Sequence, residues 1–503
     1  MSLWKKLQRA LQNGKLDTVK SLISAGVDIK YTDSNGYDAL IYAACGCDSL
    51  GGKHLLEIFQ VLIDNNVPLS GVSKYNESAL RVLSRTGKFD AVKFLLDAGS
   101  DSSVLSWTPL IQATAIGSAE DVIQILKMEP SLEEVDCWSR TAWLVAILRG
   151  DLEIAKAILD AGANTDACGH CSVPPIFYAI IGDHPQMLKW LIDLGKDIEQ
   201  TDSFEATAVI EAVEYNNIEC LKILIAAGAN IHVDNNGTAL SQTTSKDVIT
   251  TLLKAGADPA EISNGGIRAL LDLEEVDPEK SDSILNAVTK NEHAQFRTQV
   301  FGKSNPEKMT NPFWSAMIQT GASGYEASEK FKKSKGPSGP NWSANRFGQS
   351  FTILEDGRVI LIAGEHEDYY DPDFCIYNDV IVMNPDHSID VFGYPKKVFP
   401  PTDFHTATLV KDEIYIIGNL GYPETRKCGF TPVYRLSTTD YRIEQIDSLG
   451  EMPGWIYKHK AVLSDDCQLQ ISGGLIIKQN GSDDYKNCDI FSLDLGTMQW
   501  HKY

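Results

Sequence analysis

"TAWLVAI" (Thr141–Ile147) followed by "AILDAGANTD" (Ala157–Asp166) is one unit of a repeat, and its recurrence decides the fold of the first half of the chain. The pair returns as "PPIFYAI" from Pro174 with "WLIDLGKDIE" from Trp190, and as "TAVIEAV" from Thr207 with "ILIAAGANIH" from Ile223. Gly162, Gly195 and Gly228 are spaced by 33 residues, and so are the starts Thr141, Pro174 and Thr207. Further starts are "YDALIYA" at Tyr37, "ESALRVL" at Glu77, "WTPLIQA" at Trp107 and "GTALSQT" at Gly237. A fixed period of this length marks stacked units that bury their faces on one another.

Thr or Ser ahead of the apolar run is a helix N-cap, and Pro109 and Pro175 sit in the first turn, where the missing N–H costs nothing. A second helix ends in a Leu-rich turn with Gly as its left-handed cap. These motifs, "T-P-L-x-x-A" and "L-L-x-x-G-A", resemble the ankyrin repeat. The resemblance implies about eight units over residues 1–263, an α-solenoid. The second unit carries an insertion around "CGCDSLGGKHLL", since Leu40 to Leu80 spans 40 residues; the last is short, Gly228 to Gly256 spanning 28.

Ankyrin arrays as a family bind proteins, through hairpin tips and concave inner helices. Three residues before the helix starts lie Trp138, Cys171 and Phe204, again 33 apart. The matching positions elsewhere are Tyr75, Leu105, Asn35 and Asn235. Large apolar residues on tips suit interface anchors, so Tyr75, Trp138, Cys171 and Phe204 are candidate partner-binding residues.

The charge balance supports a basic partner. Lys plus Arg number 45 against 68 Asp plus Glu, a net charge of −23 over 503 residues. Such acidity argues against general nucleic-acid binding and against anionic membranes, and favours attraction of a basic protein. The N-terminus lacks a signal-type apolar core and no window reaches a spanning length, so a cytoplasmic protein is expected. Ten scattered cysteines fit a reducing compartment.

"CGHC" (Cys168–Cys171) matches the dithiol of disulfide-exchange enzymes, but it falls in register on a repeat tip with no βαβ surroundings. Zinc on Cys168, His170 and Cys171 lacks a second ligand pair in sequence. "CGC" at Cys45 and Cys47 is weaker.

Residues 264–340 break the period. "IRALLDLEEV" and "SILNAVTKNEHAQF" read as two helices capping the array. "NPFWSAMIQTGASGYEASEKF" reads as helix with a Gly interruption, and "KKSKGPSGPN" as a linker. Phe313, Trp314 and Met317 share a helical face and read as core.

Residues 341–503 repeat in another manner. "GQSFTILEDGRVILIAG" from Gly348, "HTATLVKDEIYIIG" from His405 and "HKAVLSDDCQLQISGG" from His459 are hairpins, each followed by a second: "YNDVIVMNPDHSIDVF", "TPVYRLSTTDYRIEQI" and "NCDIFSLDLGTMQWHKY". With Gly473-Gly474, Asn378-Asp379-Val380 and Trp500, they resemble kelch motifs, the four-stranded blades of a β-propeller. Three blades fall short of the four that closure needs. Their open edges are expected to pair in a homodimer or to lie under the middle helices.

Some kelch-type propellers are copper radical oxidases, which makes His366, Tyr369, Tyr370, Cys375, His405 and His459 candidates for an enzyme reading. The first copy has Gly348 where the others have His405 and His459, and no G-x-S-x-G, H-E-x-x-H or Walker motif occurs. No catalytic site, cofactor or metal is therefore expected. The stretch after Gly364 is a better feature: Glu365, Glu367, Asp368, Tyr369, Tyr370 and Asp371 give an acidic, aromatic loop suited to a basic surface. Its carboxylates also admit calcium, without EF-hand spacing. The expected function is a non-enzymatic protein-interaction scaffold. By analogy with acidic bacterial ankyrin proteins, an immunity protein that neutralises a toxin is the alternative, and a copper enzyme the second alternative.

Overall fold

The computed structural model of the chain describes residues 3–46, 54–233, 237–257, 261–270, 278–331, 339–366, 374–464, 467–478 and 484–503. The chain divides into two compact units, residues 1–243 with 250–257, and residues 244–249 with 258–503. The helix Lys246–Lys254 contributes residues to both.

Among the described residues, the first unit holds seven helix pairs. The first pair is Leu3–Gln12 with Leu16–Ser24, the second Ala39–Cys45 with Leu55–Asp64, and the third Ala79–Arg85 with Phe89–Asp97. The fourth is Pro109–Ile116 with Ala119–Leu126, and the fifth Ala142–Arg149 with Leu152–Asp160. Pro175–Ile181 with Pro185–Asp193 and Ala208–Glu214 with Ile218–Ala226 complete the series. In the expected eighth unit, turns at Ala239–Gln242 stand where the first helix would be. Asp38, Ser78, Thr108, Thr141 and Thr207 each accept the N–H three residues on, which is why the first helices start where they do. Gly162, Gly195 and Gly228 have φ of 93°, 80° and 87°, and nothing lies within 4 Å of where a Cβ would sit. Glycine is needed there for its backbone conformation and not for space.

The third and fifth pairs meet directly. Arg140 Nη1 and Nη2 donate to Ser84 O and Ser84 Oγ, both at 2.7 Å, and Arg140 Nε donates to Asp136 Oδ2 at 2.9 Å. A Cβ on Gly87 would stand 3.0 Å from Leu148 Cγ. The fourth pair is held from the side: Arg149 Nη1 donates to Thr114 O and Gly117 O, both at 2.8 Å.

The second unit contains three antiparallel meanders. We label their strands β1 Ser350–Ile353, β2 Val359–Ile362, β3 Val380–Met383 and β4 Ile389–Gly393 in the first sheet. The second sheet holds β5 Thr406–Val410, β6 Glu413–Ile417, β7 Val433–Ser437 and β8 Ile443–Gln445. The third holds β9 Lys460–Leu463, β10 Gln468–Ser472, β11 Phe491–Asp494 and β12 Gln499–Lys502. In each, the four strands pair in chain order. A short strand, Glu307–Lys308, adds antiparallel to β4, and Leu449–Gly450 adds parallel to β12. No closed ring of sheets is formed among the described residues.

Register explains how the stack ends. Ser350 pairs with Ile362, Thr406 with Ile417 and Lys460 with Ser472, which makes Ile362, Ile417 and Ser472 equivalent. Two residues back the equivalents are Ile360, Tyr415 and Gln470. Ile360 and Ile362 pack on Ile414, Ile416 and Tyr434 of the second sheet. Tyr415 and Ile417 pack on Leu469, Ile471 and Phe491 of the third. In the third sheet the corresponding face presents Gln470, exposed, and Ser472, half-buried. The apolar layer stops there.

The first sheet is joined instead to helices. Phe313, Trp314 and Met317 in Pro312–Thr320 are fully buried, and Trp314 stacks on Trp342 with ring centroids 4.8 Å apart. Trp342 Nε1 donates to Asp379 Oδ2 at 2.8 Å, and Asp379 also forms a buried ion pair with Arg346. The guanidinium lies 3.6 Å from the Tyr377 ring centroid. "SILNAVTKNEHAQF" is not one helix but the end of Pro278–Ala287 and all of Lys290–Phe296. Thr289 and Glu292 form a capping box that restarts the chain.

Candidate binding surface

The hairpin tips of the first unit are built alike. Asp33, Asp136 and Asp202 each accept N–H groups two and four residues on, at 2.8–3.0 Å, and Ser73 does the same at 3.1–3.2 Å. Successive tips are tied through the backbone: Lys74 N to Asn35 O, Cys137 N to Leu105 O, His170 N to Trp138 O and Ser203 N to Cys171 O, all 2.8–3.0 Å. They form a ladder of tips in two runs, one joining Asn35 to Lys74 and one running from Leu105 to Ser203.

On it, Tyr75 is 67% and Phe204 70% exposed. Trp138 is half-buried instead: its ring lies 4.7 Å from the Arg81 guanidinium and 5.3 Å from that of Arg85, and its Nε1 donates to Arg81 O at 3.1 Å. The two arginines explain why a tip tryptophan is drawn inward. Cys171 is half-buried, with Sγ 3.0 Å from His170 Nδ1. Cys168 and Cys171 are both free thiols, and burial pushes Cys168 up.

Glu211 on the inner helix Ala208–Glu214 is a residue that tip spacing does not reveal. Burial first, then the carboxylates of Glu214 and Asp202, push it up to about 7. Asp202 belongs to the same tip as Phe204, whose N–H it accepts at 2.9 Å. Charge is also uneven along the array. Residues 1–98 carry 12 Lys/Arg and 10 Asp/Glu, whereas residues 99–243 carry 7 and 21.

In the second unit, Glu367, Asp368, Tyr369, Tyr370 and Asp371 lie outside the described residues. Glu365 is described: burial, and then the neighbouring Asp403 carboxylate, push it up to about 7. His405 and His459 are assigned by register to the position of Gln349, not Gly348, in the first copy. Each shares a hydrogen bond with the innermost strand of the preceding sheet, His405 Nε2 with Ser350 Oγ at 2.7 Å and His459 Nε2 with Thr406 Oγ1 at 3.0 Å. Burial drives both imidazoles down to about 3, so they are neutral ties between sheets. At the third equivalent position Lys460 replaces the hydroxyl. No helix among the described residues is long and apolar enough to cross a membrane.

Comparison with known proteins agrees with the helix pairs. Family models of ankyrin repeats match residues 7–106 and 176–263, and, in a second form, residues 143–192. Ankyrin repeat protein nuc-2 of Neurospora crassa is 25% identical over 231 residues, 44% of this chain and 21% of that protein. Glycerophosphocholine phosphodiesterase gde1 of Schizosaccharomyces pombe is 29% identical over 163 residues, 30% of this chain and 14% of that protein. The chain thus spans about a fifth or less of these relatives. The human ASB11 ankyrin repeat domain aligns over 50% of this chain and 98% of its own, at 20% identity and a TM-score of 0.22. The N-terminal half of the chain is an ankyrin-repeat solenoid, a fold whose members generally mediate protein–protein interactions.

Proposed function

We propose that the chain is a non-enzymatic, cytoplasmic scaffold that captures a basic protein partner on the tips and inner helices of its ankyrin array. The observation that carries this reading is Phe204, an exposed aromatic on the same tip as Asp202, in the acidic stretch of the array where Glu211 and Glu214 lie on the inner helix that follows. An aromatic face beside carboxylates accepts a Lys or Arg side chain through both cation–π and ionic attraction. Tyr75 extends the same surface, Trp138 and Cys171 line the tips between them, and the Glu365 loop with residues 367–371 provides a second acidic contact.

The three meanders are, on this reading, kelch-type blades. The helical cover of the first sheet and the polar outward face of the third support a stack that stands without a second copy, rather than a propeller completed by a homodimer. The test is capture of interacting proteins by wild type and by a Tyr75→Ala/Phe204→Ala variant at low and high salt. A basic protein retained only by wild type and released by salt supports the reading. Equal retention by both forms contradicts it.

A further inference from the structure

The third and fifth helix pairs are tied by Arg140. Gly87, which meets Leu148 at that junction, borders an open space at the inter-helix turns of the third and fourth pairs. A cleft of about 920 Å³ opens there, lined by Thr86–Ala91 and Lys93 of the third pair, Ala115–Ser118 and Asp121 of the fourth, and Arg149 and His184 beyond. Leu55 and Leu56 of the second pair close one end, and Leu56 is 41% exposed.

The charges of this cleft run against those of the rest of the molecule. Its cations are Lys88, Lys93 and Arg149; its acids are Asp90 and Asp121. Asp121 is committed to a capping box, with Oδ2 accepting from Ser118 N at 2.9 Å. Arg149 holds the wall through Thr114 O and Gly117 O. Lys88 and Lys93 are exposed, on the part of the array that is not acidic. Phe89, Ile116 and Leu56 add apolar surface to the lining.

We propose that this cleft is a second docking site, for an extended acidic peptide segment with leucine-type side chains, separate in position and opposite in charge from the tip surface. Lys88 and Lys93 pair with its carboxylates, and Leu56 and Ile116 take its apolar side chains. An open cleft with charged residues in its lining suits a peptide better than a small molecule, which needs an enclosed pocket. A chain with one site for a basic partner and one for an acidic segment bridges two proteins.

The experiment uses the whole 503-residue chain and three fluorescein-labelled probes: a short Glu/Asp/Leu peptide, its Lys/Leu counterpart and a single-stranded oligonucleotide. The acidic peptide is expected to bind, with affinity falling about tenfold or more in Lys88→Glu/Lys93→Glu, a typical result of reversing charges at a contact. Lys88→Arg/Lys93→Arg retains binding and Phe204→Ala leaves it unchanged. Hydrogen exchange should slow at residues 86–93 and 115–121 on binding. Both charge variants change exposed residues, so circular dichroism should confirm an unaltered fold. No binding of the acidic peptide, binding indifferent to charge reversal, or tighter binding of the oligonucleotide overturns the proposal.

Discussion

Arg140 donates to Ser84 from 56 residues further along the chain, with both guanidinium contacts at 2.7 Å and the side chain almost wholly removed from water. Its charge is balanced by Asp136, which is equally buried. One ion pair therefore fixes both the tip before the fifth helix pair and the direct junction of the third and fifth pairs.

Removing one partner leaves the other as a buried, unpaired charge. Arg140→Ala is expected to cost about 3–5 kcal/mol in urea unfolding. Arg140→Met with Asp136→Leu should recover most of it, because replacing the whole pair leaves no orphan charge. A single mutant as stable as wild type shows that the pair contributes nothing.

The neutral histidines make the second unit acid-sensitive. His405 and His459 bind a proton near 6.5 when unfolded and only near 3 when folded. Their stability contribution is present above pH 6.5 and is lost as pH falls toward 3. Each amounts to a few kcal/mol on the order of the linkage relation. Thermal unfolding followed from neutral to acidic pH should show this slope, and His459→Gln should reduce it. Glu365, pushed up to about 7 from 4.5, acts in the opposite sense, its contribution fading as pH rises through 7.

Glu211 links partner capture to pH. A partner cation beside it favours the ionised carboxyl, so affinity for a basic partner should rise as pH passes about 7. In Glu211→Gln that dependence should flatten. Titrations across this range check both statements, and an affinity that falls with rising pH contradicts them.

The outward face of the third sheet sets the oligomeric behaviour. Gln470 and Ser472 stand where Tyr415 and Ile417 build the apolar layer one sheet earlier. Light scattering should therefore give a monomer at micromolar concentration, and Gln470→Ile/Ser472→Ile should promote association by adding exposed apolar area. A wild-type dimer disrupted by Gln470→Lys contradicts this.

Much of the architecture was legible because its signals are local and periodic. The caps Thr141 and Thr207, the glycines 33 residues apart and the hairpin turns each act within a few residues. The junction held by Arg140 was not legible, since its partner Ser84 is distant and nothing in "DCWSR" signals burial. Spacing places Trp138 on a tip, and its ring lies against Arg81 and Arg85, a contact that spacing alone does not reveal. The break at Thr289 was readable, since Thr289 and Glu292 have capping-box spacing. The polar end of the stack was equally present in the sequence, once register aligned Gln470 with Ile360 and Tyr415.

Capture of a basic partner by the ankyrin tips is read out by hydrogen exchange on the complex. Exchange is expected to slow at the tips around Tyr75 and Phe204 and along Ala208–Glu214, an effect lost at high salt and in Phe204→Ala. Protection confined to the β-sheets, or a footprint on the array that persists unchanged in Phe204→Ala, would contradict it.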